Sequence, residues 1–346
     1  INFTAARYLD LQFGYDKNFI GSGYRSLFLS NFGNSYLFFK VNTRIWKLNY
    51  LNLFMELTPQ FSRGGGDKLL DKKYAVMHHL SLNVTKWMNV GFFEAVLFGR
   101  RNHFDFTYLN PVIFLRPAEQ QNGSADNAFV GVDLKLNAAR HVQLYGQLLF
   151  DEFVLKEVRS RSGWWANKYA VQMGMKYVDV LGIRNLDLQG ELNLIRPFTY
   201  THHDSLTNYT HYNQPLAHPM GANLAEAIGI LRYQPHQRWT VSAKAIHWRQ
   251  GRDALDSASS NVGTDIFKMN YTRSLGDFGY QIGSGIEQKG LNLQLLVSFE
   301  WKENLFLELA QQWRTVSGSA LAYRSPDARI LSVGLRWNIW RREYDY

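Results

Sequence analysis

The sequence of 346 residues contains no cysteine. Disulfide bridges, zinc–thiolate sites and thiol catalysis are therefore excluded. The chain also lacks any apolar run near the roughly 18 residues that mark a membrane-spanning helix. No charged segment followed by an apolar one resembles a secretory signal. Because the chain starts with Ile1 rather than methionine, we expect a processed or partial chain, and its targeting stays open.

Charge of one sign is not concentrated anywhere. The net charge of +9 comes from 38 basic and 29 acidic residues that are spread along the chain. The basic runs are no longer than pairs such as Lys72-Lys73 and Arg100-Arg101. A nucleic-acid-binding surface normally needs clustered basic residues, so this distribution argues against a nucleic-acid partner.

Aromatic residues are abundant: the chain has 10 Trp, 19 Tyr and 23 Phe, yet its mean hydropathy is −0.29. An aromatic-rich and overall polar chain without an apolar helix is still compatible with a membrane. In a transmembrane β-barrel, lipid-facing and lumen-facing residues alternate along each strand, so the apolar signal is diluted.

Apolar and polar residues alternate with a period of two in many windows. In 184–195, leucines at 186, 188, 192 and 194 share one face, and Asp187, Gln189, Glu191 and Asn193 share the other. The windows 291–301 and 330–340 repeat the scheme. Further candidate strands are 5–15, 36–46, 49–60, 76–85, 88–99, 106–117, 126–137, 141–154, 168–178, 223–234, 238–249, 265–273 and 303–315. The pattern predicts an all-β protein of roughly sixteen strands, between about 14 and 18, each long enough to cross a bilayer.

The number and length of these strands favour a single transmembrane antiparallel barrel over residues 1–346. Strands of globular proteins are shorter, and a barrel of this size has a lumen too wide for side chains to fill. Its polar face then lines water and its apolar face meets lipid. Short turns, such as Lys86-Trp87, alternate with long loops, which identifies the periplasmic and extracellular ends. The long loops are 61–74, 156–167, 200–222 and 250–264, and tryptophans near strand ends predict an interfacial girdle (46, 87, 239, 248, 301, 313, 337 and 340).

The glycine-containing stretch Gly21-Ser22-Gly23 is one glycine short of a dinucleotide-binding loop. Such a loop opens a helix, whereas a strand-like segment follows here, so we expect no nucleotide and no cofactor. We instead interpret Gly21, Gly23 and Arg25 as a structural turn. The glycines permit a positive φ, and the arginine meets a lumen carboxylate. Residues 16–34 are thereby expected to fold back as a plug or rim segment against the barrel.

Polar residues on the lumen face are candidates for chemistry: Asp151, Glu191, Glu300 and Arg336. Carboxylates paired with arginine commonly rigidify a barrel, and no catalytic motif of a known type is present. The histidines of loop 200–222 lack the spacing of a metal site. We therefore predict no catalytic residue, no metal site and no enzyme activity.

Aromatic and amide side chains in the long loops favour sugar recognition. Flat aromatic rings offer apolar surface to the sugar ring, and amides form hydrogen bonds with its hydroxyls. The candidate ligand residues are Trp164, Trp165, Asn167, Tyr209, Tyr212 and Asn213. For the two tryptophans, anchoring in the membrane interface is an equal alternative.

Several long segments resemble the Wzi-type capsule assembly proteins. They are RYLDLQFGYDKNFIGSGYRSLFLSNFG (7–33), YLNPVIFLRPAE (108–119), ADNAFVGVDLK (125–135), LYGQLLFDEF (144–153) and RPFTYTHHDSLTNYTHYNQPLAHPMGAN (196–223). The similarity is strongest to the Bacteroidetes branch, which includes the gliding-motility protein RemB. The resemblance implies an outer-membrane barrel of a Gram-negative bacterium that helps hold capsular polysaccharide without being an enzyme.

Three functions are therefore expected in decreasing order. The first is a non-enzymatic barrel that binds or organises surface polysaccharide. The second is an accessory subunit of a larger outer-membrane complex for type 9 secretion or gliding, with other outer-membrane or periplasmic proteins as partners. The third is a passive diffusion pore. In each case outer-membrane lipid surrounds the barrel.

Overall fold

Antiparallel strands make up most of the computed structural model, which describes residues 1–59, 70–100, 103–112, 115–121, 123, 125–255 and 260–338. The strands are β1 Asn2–Ala6, β2 Leu9–Asp16, β3 Tyr36–Ile45, β4 Leu48–Leu57, β5 Lys73–Asn83, β6 Met88–Phe98, β7 Asn127–Asn137, β8 Val142–Glu152, β9 Lys168–Tyr177, β10 Leu186–Ile195, β11 Thr210–His211, β12 Gln214–Pro215, β13 Leu224–His236, β14 Trp239–Arg252, β15 Ile286–Lys302, β16 Leu305–Gly318 and β17 Ser325–Trp337. The two helices are α1 Leu115–Gln121 and α2 Leu155–Arg159, and 3-10 turns lie at Phe106–Leu109, Val180–Gly182, Ser205–Thr207 and Leu321–Tyr323. Among these residues no helix is long and apolar enough to span a membrane.

Fifteen of the strands in the described residues form one sheet in chain order, and β11 and β12 form a separate hairpin. The all-β antiparallel prediction is thus confirmed. Four windows differ from it. Residues 5–15, expected as one strand, span the turn between β1 and β2. Residues 106–117, also expected as a strand, contain the 3-10 turn Phe106–Leu109 and the start of α1. Residues 265–273, expected as a strand, belong to the connection between β14 and β15, and the last expected strand ends at Trp337 within the described residues. No pairing between β1 and β17 occurs in the described part of the chain.

The two faces of the sheet are inverted relative to a soluble protein. On β10, Gln189, Glu191 and Asn193 are 8%, 3% and 0% exposed. Leu192, on the opposite face, is 56% exposed, and Val333 of β17 is 80% exposed. A polar face that is buried and an apolar face that is exposed are the pattern of a transmembrane barrel.

The sheet curls around the segment 17–34. Lys40 of β3 donates to Asn18 Oδ1 at 3.0 Å, and Lys244 of β14 donates to Tyr24 Oη at 3.0 Å. Asn18 and Tyr24 are only six residues apart, whereas nine strand spacings in a flat sheet would separate β3 from β14 by roughly 43 Å. Only a strongly curved sheet brings both lysines to one short segment. The interior of this curved sheet is the lumen.

One end of the sheet has short turns and the other has long connections. At the short-turn end lie the connections 7–8, 46–47, 84–87, 237–238 and 303–304. Five exposed tryptophans lie at this same end, as expected for a girdle at one membrane interface: Trp46, Trp87, Trp239, Trp301 and Trp337. Of the expected long loops, 61–74 and 250–264 lie partly outside the described residues.

Two tryptophans do not belong to this girdle. Trp248 faces the lumen, where its indole lies so close to Gly290 that a Cβ there would approach the ring at 2.4 Å. Its assignment to the girdle was therefore wrong, because nearness to a strand end does not specify the face. Trp313 lies in the middle of β16 at 39% exposure. Trp340 falls outside the described residues.

The connection between β6 and β7 covers part of the outer wall, which the sequence did not predict. Tyr108 and Leu115 form a buried cluster with outward-facing residues of β5 and β6. The N–H of Arg116 in α1 donates to Glu94 Oε1 at 2.8 Å. Beneath it a row of polar side chains crosses three neighbouring strands: Asn52, His78 and Glu94, at 3%, 0% and 4% exposure. The connection thus shields polar groups that would otherwise face lipid.

Candidate functional site

The lumen is filled by a plug, which we define as residues 17–34, and Glu191 holds its turn. The Glu191 carboxylate accepts the backbone N–H groups of Tyr24 at 2.6 Å and Arg25 at 3.0 Å. It also accepts from Tyr145 Oη at 2.8 Å and Asn193 Nδ2 at 3.0 Å. A buried carboxylate needs such donors to compensate for lost hydration. The predicted lumen residue Glu191 is therefore the docking point of the plug.

The two glycines of the turn allow the plug to approach the wall closely. A Cβ on Gly23 would lie 2.6 Å from Glu191 Oε2 and 2.8 Å from the Arg25 carbonyl oxygen. A Cβ on Gly21 would lie 2.8 Å from Gln147 Nε2. Gly21 has φ of 152°, whereas Gly23 is not among the residues with positive φ. The expectation of a positive φ at both was therefore wrong for Gly23, where lack of space is the reason for glycine.

Arg25 binds a carboxylate, as expected, but one that the sequence did not single out. Its Nη2 lies 3.0 Å from Glu226 Oε1 on β13, and Nε lies 3.3 Å from Oε2. His218 Nε2 contacts the same carboxylate at 2.8 Å. The Glu226 side chain is fully buried. One inward carboxylate thus joins the plug to the connection between β10 and β13.

Apolar residues form the other half of the plug. Leu27, Phe28 and Leu29 are all 0% exposed. The Phe28 ring stacks on Phe93 of β6 at a centroid distance of 4.4 Å. Such stacked pairs add to the stabilisation from buried area. The plug is therefore a packed core element rather than a loose loop.

The connection 196–223 closes the lumen above the plug. Lys73 Nζ, fully buried, donates to the Asn208 carbonyl oxygen at 2.8 Å and to Thr210 Oγ1 at 3.1 Å. The Asp151 carboxylate accepts the Tyr200 N–H at 2.9 Å, and Tyr200 Oη donates to the Leu27 carbonyl oxygen at 2.9 Å. Asp151, a predicted lumen residue, thus positions this connection over the plug.

The other two predicted lumen residues lie away from the plug, near the short-turn end. Glu300 accepts the N–H of Asn304 at 3.0 Å in the turn between β15 and β16. Arg336 Nε donates to Glu308 Oε1 at 2.8 Å, and its guanidinium lies 4.0 Å from the Phe306 ring centroid. Both act locally within β15–β17.

The residues expected to bind sugar do not come together in one place. Trp165 packs on Phe198 at 5.7 Å between ring centroids, and Arg273 lies 4.4 Å from its ring. Trp164 lies beside it, 6.4 Å away. These contacts join two long connections, which favours loop anchoring for Trp165 over contact with lipid. Asn167 is 2% exposed and accepts the Val154 N–H at 2.8 Å, so its amide is used internally.

The other residues expected to bind sugar, Tyr209, Tyr212 and Asn213, are divided between the interior and the surface. Tyr209 is 1% exposed, donates to the Phe28 carbonyl oxygen at 2.6 Å, and burial raises its pKa well above the usual range. Its ring is therefore not presented to a ligand. Tyr212 and Asn213 form the exposed tip of the β11–β12 hairpin, with φ of 49° and 59°. Both positive values correspond to a type I′ turn, which asparagine tolerates well.

A cavity of about 600 Å³ opens at the long-loop end beside that hairpin. Its polar lining includes Arg252, Asp253, Asp265 and Lys268. Phe267, Met220 and Tyr323 supply apolar surface. Lys268 Nζ is held 2.7 Å from Asp253 Oδ2, and the Arg252 guanidinium lies 5.3 Å from the Tyr323 ring centroid. We call this cavity the loop-end pocket.

The histidines of the loop above the plug have internal roles. His211 accepts the Thr58 N–H at Nδ1, 3.0 Å away, and burial lowers its pKa. Burial, with smaller contributions from His203 and Lys168, lowers the pKa of His202 to about 3. Within the described residues no three His, Asp or Glu side chains are arranged to hold a metal ion.

Exposed apolar outer strands, a tryptophan girdle and a polar lumen filled by a plug define an outer-membrane β-barrel. The chain belongs to the Wzi capsule assembly protein family, whose model matches residues 5–325. It is therefore a protein of the outer membrane of a Gram-negative bacterium.

The similar solved structures are distant in sequence. Wzi of Escherichia coli, described as a carbohydrate-binding β-barrel involved in group 1 capsule assembly, is 13% identical with a TM-score of 0.62. The match covers 95% of this chain and 68% of that one. The Pseudomonas aeruginosa protein OccD3 (OpdP) is 9% identical with a TM-score of 0.46, and the match covers 96% of this chain and 75% of that one. No curated protein sequence matches the chain at a significant level.

Proposed function

We propose that this barrel binds surface polysaccharide at its extracellular mouth and does so without catalysis. The observation that carries the proposal is the loop-end pocket, which combines charged groups with aromatic and apolar surface above a filled lumen. Sugar hydroxyls need directional donors and acceptors, and the carbon-bound hydrogens of a pyranose need a flat apolar surface. The pocket offers both.

The surroundings of the pocket extend this surface. Pro215 of β12 lines the pocket, so the hairpin tip with Tyr212 and Asn213 lies close to it. Trp165 contacts Asp277 and Arg273 of the connection 253–285, which also supplies Asp265 and Phe267, and Trp164 lies beside Trp165. We therefore retain Trp164, Trp165, Tyr212 and Asn213 as ligand residues and place Tyr209 and Asn167 behind them.

Family membership supports the same function. The Escherichia coli relative is described as carbohydrate-binding and as involved in capsule assembly. We propose that the present chain is a single barrel domain over 1–346 and belongs to the Bacteroidetes branch that includes RemB. Nothing in the described residues favours the secretion or gliding subunit over polysaccharide binding.

The test compares retention of purified capsular polysaccharide by the wild-type protein and an Arg252→Gln/Phe267→Ala variant in detergent. We expect at least tenfold weaker retention, because the variant removes one cation and one ring from the pocket. Arg249→Gln is the matched control, since Arg249 lies on the same strand, faces outward and pairs with Glu287 at 2.8 Å. A Trp164→Ala/Trp165→Ala variant tests the neighbouring surface. Unchanged retention in the pocket variant contradicts the proposal.

A further inference from the structure

A second cavity lies on the opposite side of the plug. It measures about 410 Å³ and lies between plug residues 18–21 and the inward faces of β2–β5. Gln12, Asn18, Phe19, Lys40, Asn42 and Arg44 are among its lining residues. We call it the vestibule. The strand residues lie toward the short-turn end, and the Arg44 side chain is 67% exposed, so the vestibule meets solvent on the periplasmic side.

The polar groups of the vestibule are held in fixed positions. Lys40 Nζ donates to Asn18 Oδ1 at 3.0 Å, and the Asn18 N–H donates to Tyr36 Oη at 3.0 Å. The Asn42 amide is oriented so that its nitrogen donates to Asn49 Oδ1 at 3.0 Å and its oxygen accepts from Arg44 Nε at 2.9 Å. A preorganised set of amides and cations needs little ordering when a ligand binds.

One buried donor in this set is poorly satisfied. Asn18 is 9% exposed, and its Nδ2 lies beside Tyr36 without a hydrogen bond of good geometry to the described residues. An unsatisfied buried N–H group costs roughly 1–3 kcal/mol, so such groups in native proteins call for an explanation. A ligand oxygen in the vestibule would supply a better-placed acceptor.

The charges favour an acidic ligand. The lining contains the cations Lys40 and Arg44 and the carboxylate of Asp10. That carboxylate lies 3.8 Å from Arg44 Nη2, which is too far for a good hydrogen bond. His79 is engaged by Asp133 at 2.5 Å. Among the lining residues the two cations therefore outnumber the one carboxylate that faces them, and Asp16, outside the lining, is a further carboxylate that acts on Lys40. Phe19, at 37% exposure, adds a ring face.

We propose that the vestibule binds a saccharide unit that carries a carboxylate, presented from the periplasmic side. Amides recognise its hydroxyls, Phe19 its apolar face, and Lys40 with Arg44 its carboxylate. The volume lies within the usual range for small-ligand sites. The inference rests on the proposed function only in taking a carbohydrate as ligand, since its residues are separate from the loop-end pocket. The barrel then holds glycan on both sides of a plug that does not let it pass.

The test uses cellobiuronic acid and its neutral counterpart cellobiose, with site-resolved NMR of the detergent-solubilised protein. We expect cellobiuronic acid to shift the amide signals of Asn18, Phe19 and Asn42, and cellobiose to bind at least fivefold more weakly. Arg44→Gln should reduce the affinity for cellobiuronic acid at least fivefold while changing that for cellobiose less than twofold. The Arg44→Gln variant should keep the heat-modified gel mobility of the wild type, because the Arg44 side chain is 67% exposed, and this measurement checks that the variant folds.

Two controls separate this site from the loop-end pocket. Arg252→Gln should leave the vestibule signals unchanged. If the protein does not retain capsular polysaccharide but cellobiuronic acid still shifts the vestibule signals, the proposed function alone is contradicted. In outer-membrane vesicles, where only the extracellular side is accessible, the vestibule should not respond to the added disaccharide. Three results would each overturn the inference. The signals of Asn18 and Asn42 do not shift in detergent, cellobiose binds as tightly as cellobiuronic acid, or Arg44→Gln binds cellobiuronic acid with the affinity of the wild type.

Discussion

The Glu191 carboxylate on β10 accepts the backbone N–H of Arg25 at 3.0 Å, although 166 residues separate the two along the chain. This bond connects the plug to the wall at the centre of the lumen. Hydrogen bonds to a charged group contribute roughly 1.5–3 kcal/mol each. The stability of the plug in its docked position therefore depends strongly on one side chain.

Replacing Glu191 with alanine should release the turn of the plug. We expect the docked state to lose about 3 kcal/mol, or roughly a hundredfold in the opening equilibrium, because several buried donors lose their acceptor. Hydrogen exchange of residues 17–34 in detergent measures the opening. Glu300→Ala is the matched control, since that carboxylate lies in a turn near the short-turn end. Equal protection of the plug in both variants would show that Glu191 does not hold it.

Gly23→Ala should also displace the plug, for a steric reason. The new Cβ would approach Glu191 Oε2 at 2.6 Å and a backbone oxygen at 2.8 Å, and relief of such overpacking typically costs about 1–3 kcal/mol. Gly190→Ala is the matched control, because an added Cβ there meets no atom within 4 Å. Trypsin cleavage at Arg25 reports the difference. We expect rapid cleavage only in Gly23→Ala, and resistance in both variants would count against the close approach.

Acid should loosen the connection above the plug. Burial lowers the pKa of His202 to about 3, so the folded state favours the neutral imidazole. An unfolded histidine titrates near 6.5 and takes up its proton first. The stabilisation is therefore complete above pH 6.5 and is lost as the pH falls toward 3, by at most about 1.4 kcal/mol per pH unit.

Histidine NMR tests this expectation directly. The His202 signal, assigned with a His202→Gln variant, should not titrate between pH 7 and pH 5. Exchange protection of residues 196–223, corrected for the intrinsic rate, should fall in acid for the wild type and less steeply for His202→Gln. A midpoint near 6.5 for His202 would be incompatible with its burial.

Much of the fold was predictable because a barrel repeats one simple pattern. The alternation in 184–195 specified which residues of β10 share a face, and Gln189, Glu191 and Asn193 are buried together on one side of that strand. Periodicity alone does not show what covers a face. Asn52, His78 and Glu94 lie outward but are buried under the connection that contains α1, a long-range contact that no local pattern encodes.

The site was less predictable than the fold, for a related reason. The sequence around an aromatic loop residue does not show whether the loop lies on the surface or folds into the lumen. Tyr209 and Tyr212 are only three residues apart, yet one is buried against Phe28 and the other is exposed at a hairpin tip. Glu226, the partner of Arg25, carries no local signal beyond its position on an alternating strand.

The filled lumen leads to a last expectation, on the diffusion-pore alternative. The plug fills the lumen with fully buried side chains such as Phe28, and Lys73 holds the overlying connection in place. We expect planar bilayers containing the wild-type protein to show no stable conductance. Replacing residues 18–33 with a flexible Gly-Ser linker should produce stepwise openings, because the remaining lumen is wide and lined by polar side chains. Glu191→Ala should give brief openings, since it weakens docking without deleting the plug. A wild-type protein that conducts steadily would show that ions pass around the plug and would restore the pore as a function.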